Sequence, residues 1–233
     1  MQPMRLQSLF LMLATIPLLL SCAPGFKSFH QNSPLLLSES NNDSLTVRYS
    51  FQPFSSSPKF ATKAAKDQLA AFYIEITNLS DSTIEILPNS FAMHSRKKKL
   101  SPTPTEQLVT EYRSNSAVYM LWSFFFITYW DEDSFIPIPI GFPIGLGQMA
   151  RSDSYNKKMR AEFDQNSYKN VPIPPGGSTS GHLYFRNLTD HKWTLSFDYE
   201  VTGERRESEL VISRSAMAPV MTEWRRRRLH PVR

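Results

Sequence analysis

Cysteine, histidine and glycine are all scarce in this chain, and each scarcity removes a class of explanation. Cys22 is the single cysteine in 233 residues, so no disulfide can close within the chain and no cysteine-based zinc site can be built. The five histidines, His30, His94, His182, His191 and His230, are scattered without the HxH or HExxH spacing that places two imidazoles on one metal. They read as surface or turn residues. The densest glycine stretch, GGSTSG at 176–181, sets Thr179 where a nucleophile elbow needs Ser or Cys, and it reads as a turn. Asp131-Glu132-Asp133 lacks the further ligand set of a calcium loop. GFPIG matches GxxxG in letters, but Pro143 sits inside it. No catalytic motif, metal set or cofactor fingerprint is legible, so the expectation is a protein that is not an enzyme and takes no cofactor.

What is present begins at the N-terminus. Arg5 precedes an uncharged run from Leu6 to Leu20, closed by Ser21-Cys22. A short positive region, an apolar stretch of about 7–15 residues and a small residue before the cut define a secretory signal. The run is also short of the about 20 residues that a spanning helix needs. Leu19-Leu20-Ser21-Cys22 resembles the lipobox of bacterial lipoproteins. The resemblance covers this segment alone. It implies cleavage before Cys22, a diacylglycerol on its thiol and acylation of the new amino terminus. Leu20 departs from the small or β-branched residue usual at its position. The solitary cysteine agrees with this reading, since an exported thiol without a partner needs another role. Acyl chains contribute about 0.8 kcal/mol per buried CH₂, and two or more hold a protein firmly. Ala23, rather than Asp, follows the cysteine; by the same resemblance this permits transfer to the outer membrane of a Gram-negative cell.

Segments 1–21, 22–44, 45–213 and 214–233 are expected as signal peptide, flexible tether, folded domain and basic tail. The tether is Ser- and Asn-rich and would span on the order of 25 Å as a coil. From residue 45 the grammar is that of strands. LTVRYSFQ puts Leu45, Val47, Tyr49 and Phe51 on one face, the alternation of a half-buried strand. AAFYIEITNLSDSTIEIL reads as a hairpin turning at Asn78–Ser82, and a short strand is expected near Ser90–His94. After residue 170 come a Pro-Gly turn, a strand with Leu183 and Phe185, and a strand alternating Trp193, Leu195, Phe197, Tyr199 and Val201. Glu204-Arg205-Arg206 reads as a turn before a last strand with Leu210 and Ile212. Asn78 and Asn187 sit in N-x-S/T triplets, but turn formation is the better account. Seven or eight short strands with polar turns predict a mainly β chain, an immunoglobulin-like antiparallel sandwich carrying an inserted apolar, partly helical segment.

That insert is expected at about 103–168. Thr103-Pro104-Thr105-Glu106 has the form of a capping box with proline at the first helical position. The run Ala117–Trp130 suits helix and strand equally. The prolines of FIPIPIGFPIGLG argue against a regular helix there. Tyr155, Met159 and Phe163 predict a second helix over Ser154–Phe163. As a helix, Ala117–Trp130 would be about 21 Å long, against a hydrocarbon core of about 30 Å, so a span is not expected. Such a run does not simply face water, because large exposed apolar patches mark contact surfaces. Tyr119, Trp122, Phe124, Phe125, Phe126, Tyr129 and Trp130 are therefore candidates for extra core, for contact with a protein partner, or for contact with the bilayer interface, where Tyr and Trp settle.

Two basic clusters remain, 96–99 and Arg225, Arg226, Arg227 and Arg228. The formal charge of +5 equals those four arginines plus Arg233. Anionic headgroups attract basic residues by about 1 kcal/mol each near the surface, whereas nucleic acid is not expected outside the cell. The functional expectation is a lipid-anchored, non-catalytic envelope lipoprotein that binds through its apolar insert. The alternative is an exported, hydrolase-like enzyme with a dispersed active site.

Overall fold

The structure, a computed structural model, describes residues 28, 38–41, 44–52, 54, 58–96, 98–124, 126–131, 134–138, 141–189, 192–201, 203–212 and 214–229. They form two compact units. The described residues of one fall within Arg113–Arg160; the other takes in Lys27–Tyr112 and Ala161–Arg233. Cys22 and Phe125 lie outside the described residues.

The larger unit is mainly β. Strands β1 (Ser38–Asn41), β2 (Leu45–Gln52), β3 (Ala70–Asn78) and β9 (Ser178–Phe185) form one antiparallel sheet in the order β1-β2-β3-β9. A second antiparallel sheet has the order β11-β10-β5-β6, with β4 also on β10. Its members are β4 (Ile84–Glu85), β5 (Ala92–His94), β6 (Lys99–Leu100), β10 (Trp193–Val201) and β11 (Glu204–Ile212). The alternating sequences explain the layering. Leu45, Val47, Tyr49 and Phe51 from β2 and Phe72, Ile74 and Ile76 from β3 share one buried cluster with Trp193, Leu195, Phe197, Tyr199 and Val201 from β10. Each such side chain contributes roughly 1.5–3 kcal/mol on burial, and a one-residue slip would turn the whole set outward.

The first sheet is buried on its other face too, which is why β9 is buried at consecutive positions from Gly181 to Phe185. Helix α1 (Pro58–Lys66) lays Phe60 on that side, and α2 (Thr105–Tyr112) adds Leu108 and Tyr112. Phe163, near the C-terminal end of α3 (Gly141–Asn166), stands 5.0 Å from the Tyr184 ring and 6.5 Å from Phe60. Phe60 in turn lies 4.7 Å from Tyr112. This aromatic layer narrows the expected insert: the bounds 103–168 take in buried Leu108, Tyr112 and Phe163, which belong to the larger unit, whereas the described residues of the separate unit start at Arg113 and end at Arg160.

Further expectations change at the ends of the chain. Ser38–Asn41, inside the stretch read as tether, pairs with Thr46–Tyr49 as an edge strand. The stretch read as a basic tail contains α4 (Arg214–Leu229), which packs on α1 and β2. Met217, Val220 and Trp224, three and four residues apart, enter the main cluster, the spacing of a helix face. The reason is burial: a helix that seats Trp224 beside a sheet is held by tertiary contact, not by the polarity of its arginines. Among the described residues there are four α-helices.

Turns follow local chemistry. Gly177 N–H donates to the Pro174 carbonyl at 2.8 Å, and Gly176 between them has φ +70°, a type II geometry that only glycine adopts without strain. Gly181 is different, because it lies in β9. A side chain there would meet the Tyr168 backbone at 2.4 Å, where the Tyr168 N–H donates to His182 O at 3.0 Å. The expected turn at Glu204–Arg206 is strand: Val201 pairs with Glu204, and Gly203, at φ +80°, makes the turn. Arg96, Lys98 and Lys99 lie at the β5–β6 hairpin, whose Ser95 N–H donates to Lys98 O at 2.8 Å.

Candidate contact surface of the insert

The unit within 113–160 is built from a 3₁₀ segment over Ser116–Phe124, a hairpin of β7 (Ile127–Asp131) and β8 (Ser134–Ile138), and most of α3. The aromatic run thus becomes helix and strand in succession, which is why neither period dominated its sequence. Pro137 sits opposite Thr128 in the two-stranded ribbon. Contrary to the expectation from its prolines, the GFPIG stretch begins α3, with Pro143 in the first turn, where a missing N–H loses no intrahelical bond.

The unit is pinned internally at its entrance. Ser114 N–H donates to Asn156 Oδ1 at 2.8 Å, and Asn156 Nδ2 donates back to Ser114 O at 2.9 Å. Ser152, one turn earlier on α3, donates its hydroxyl to the same carbonyl. Ile144, Gln148, Ser152, Tyr155 and Met159 form the buried stripe of the helix.

The opposite character appears on the 3₁₀ segment. Positions three apart eclipse in such a helix, so Val118, Leu121 and Phe124 make one ridge. They are 51%, 62% and 74% exposed, and Phe126 follows at 59%. Phe142 and Leu146, one turn apart on α3, are exposed as well. Tyr119 is half-buried. Trp122 falls within the 3₁₀ segment, and Tyr129 and Trp130 within β7. Of the expected contact residues, Phe124 and Phe126 are thus exposed, and so are the aliphatic Val118 and Leu121, which the aromatic pattern of the sequence does not single out.

The expected anionic-surface residues are on a helix with a partly neutralised face. Arg226 donates to both Glu223 oxygens at 2.9 Å, and Arg227 Nε donates to the same carboxylate at 2.5 Å. Burial alone would raise the Glu223 pKa, but the two guanidiniums outweigh it and hold the carboxyl below its ordinary range. Arg225 is exposed, and Arg228 lies in the same last turns, where cations favour the helix dipole. Two of the four arginines therefore already serve the helix itself.

Other polar clusters were invisible in the sequence because they join distant segments. Tyr112 donates to Asp67 at 2.7 Å while Lys63 and Arg186 approach its ring at 4.8 and 5.7 Å. Burial, then the Asp67 carboxylate, push the Tyr112 pKa up. Arg186 also pairs with Glu111 at 2.5 Å. His94 Nε2 lies 2.9 Å from Ser196 Oγ. A nucleophile must be reachable, and Ser196 is buried, so this contact ties β5 to β10. His182 places its two ring nitrogens 3.1 Å from Asn166 O and 3.3 Å from Gln52 Oε1. It borders a cavity of about 240 Å³ shared with Pro88, Pro102, Pro104, Tyr168 and Tyr184. Among the described residues, no three of His, Cys, Asp and Glu gather as a metal set, and no helix is long and apolar enough to cross a membrane.

No known family model matches the sequence, and no curated protein matches it. Several solved structures resemble the fold faintly. A provisionally assigned lipoprotein (ycdA) of Bacillus subtilis subsp. subtilis str. 168 is 11% identical, with a TM-score of 0.39 over 79% of this chain and 41% of its own. The chain thus spans well under half of that protein's length. The yjhA protein of Bacillus subtilis is 9% identical, with a TM-score of 0.32 over 69% of this chain and 76% of its own. The GAE domain of GGA2p from Saccharomyces cerevisiae is 12% identical, with a TM-score of 0.26 over 76% and 95%. Likenesses of this size carry no functional argument.

Proposed function

We propose that the protein is a lipid-anchored, non-catalytic lipoprotein of the cell envelope, a binding or structural module whose immunoglobulin-like sandwich is the scaffold and whose insert is the contact surface. The observation that carries this reading is Leu19-Leu20-Ser21-Cys22, which ends an uncharged run and holds the chain's single thiol. The outward ridge of Val118, Leu121 and Phe124 supports a contact role for the insert, since such side chains gain by meeting a bilayer interface or an apolar protein surface. If the cell is Gram-negative, Ala23 after the modified cysteine fits the periplasmic face of the outer membrane.

Metabolic labelling with a palmitate analogue tests the anchor. Wild type takes up label and Cys22→Ser does not; equal label in both removes the proposal. For the contact surface, the protein without signal or Cys22 is mixed with vesicles. A blue shift of tryptophan emission that disappears in Trp122→Ser/Trp130→Ser supports lipid contact. Binding that strengthens with anionic lipid and falls with salt adds the arginines of α4, because screening weakens exposed charges beyond about 8–10 Å.

A further inference from the structure

A hydrogen bond near the start of the described chain bears on how the domain sits on its membrane. The Ser28 hydroxyl donates to Glu162 Oε1 at 2.6 Å. Glu162 is buried, on the C-terminal part of α3, one residue before Phe163, which packs on Tyr184. Tyr184 points away from Leu183 and Phe185, whose side chains enter the core between the sheets. Glu162 therefore belongs to the helical layer on the outer side of the first sheet. The exposed face of the second sheet, which includes Val211 at 78% exposure, is on the other side of the sandwich.

The chain between Ser28 and Cys22 is six residues long. Fully extended, it reaches at most about 20 Å. The 23-residue stretch expected as a tether therefore has a bonded point at Ser28, close to the acylated end. A chain attached first at Ser38, where β1 begins, would let any face of the domain turn to the lipid. A coil fixed at Ser28 would not.

We propose that the Ser28–Glu162 hydrogen bond orients the domain on the bilayer, holding the helical face around the end of α3 toward the lipid and turning the outer face of the second sheet away. The proposal rests on the lipid anchor at Cys22 and adds to it the face that the anchor selects. The side chain of Glu162 suits the role: it accepts the Ser28 hydroxyl at 2.6 Å, and its burial shields that bond from competing water.

Energy transfer in vesicles tests it. Once Cys22 is acylated the protein has no other thiol, so one introduced cysteine takes a donor dye uniquely. Lipidated protein is reconstituted into vesicles doped with an acceptor lipid, with the donor at Gln165→Cys on α3 or at Val211→Cys on β11. Layers stack about 10 Å apart, so transfer from position 165 should exceed that from 211 about twofold or more. Ser28→Ala should bring the two values together, whereas Glu162→Gln, which keeps an acceptor oxygen, should leave them apart. Equal transfer in the unsubstituted background, or a difference that survives Ser28→Ala, overturns the proposal. A protein that carries no acyl chain and does not sediment with vesicles overturns the anchor itself, and palmitate labelling shows which of the two has failed.

Discussion

The side-chain amide of Asn78 donates to the backbone carbonyl of Ile173 at 2.9 Å, joining residues 95 apart in the chain. The same nitrogen donates to Ser82 O at 2.7 Å, and Oδ1 accepts from the Ser80 N–H at 2.8 Å and the Ser80 hydroxyl at 2.7 Å. The Asn78 backbone completes the knot, donating to Gly177 O and accepting from Gly176 N–H, both at 2.9 Å. One fully buried amide thus closes its own hairpin and docks the Pro-Gly turn of a distant segment.

Replacing it should be costly. Asn78→Ala removes four side-chain hydrogen bonds, each worth about 0.5–1.5 kcal/mol net, and although the Ile173 carbonyl keeps the Ile84 N–H at 3.0 Å, a loss of about 2–4 kcal/mol is expected in chemical denaturation. Asn78→Asp should cost at least as much, since it removes both donors and aims a carboxylate at two carbonyls. A loss under about 0.5 kcal/mol, the range of an ordinary surface change, would contradict this role.

Two glycines should respond differently to alanine. At Gly181 the added carbon meets the Tyr168 backbone, so β9 and the following segment must part, with a loss above about 2 kcal/mol. At Gly203 the space is open and only the positive φ resists, a loss of about 1–2 kcal/mol. Thermal melts of the two variants should rank in that order.

The C-terminal helix should prove structural. Trp224→Ala empties a buried site and should cost about 3–5 kcal/mol, while Arg225→Ala should stay within about 0.5 kcal/mol. Were the segment an unpacked tail, the two melts would be indistinguishable.

Acid should weaken the same helix. Glu223 has a folded pKa below its ordinary 4.5, so its pairing contributes stability above the unfolded pKa and loses it as pH falls through the folded value. Wild type should therefore exceed Glu223→Gln by about 1 kcal/mol near pH 7, and the two stability curves should converge below pH 4.5.

Excision separates the units. Removing 113–160 and joining Tyr112 to Ala161 with a short linker should leave a cooperatively melting β domain, because Tyr112 and Phe163 already pack on the same Phe60 ring. Removing 103–168 should give aggregation, since it takes Leu108, Tyr112 and Phe163 out of the helical layer.

The strands were legible in the sequence because β periodicity is local. Leu45 to Phe51 and Trp193 to Val201 announce which side is apolar without reference to anything else, and each set is buried where its alternation places it. Tyr155, Met159 and Phe163 announced a helix face in the same way, and all three are buried. Cysteine count and the uncharged run before Cys22 likewise need no fold to be read. Tertiary structure decided what depends on partners far along the chain. Ala117–Trp130 suited two periods, and it divides into a 3₁₀ segment and a strand where β8 arrives to pair with it. Arginines after Trp224 read as a solvated tail until the apolar contacts of Met217, Val220 and Trp224 are seen, since net polarity says nothing of a narrow buried stripe. Gly181 reads as one more turn glycine, yet it is the approach of Tyr168 that excludes a side chain there. Local patterns set which residues prefer burial; only the assembled chain determines what each is buried against, because packing and hydrogen bonding join residues that sequence separation keeps apart.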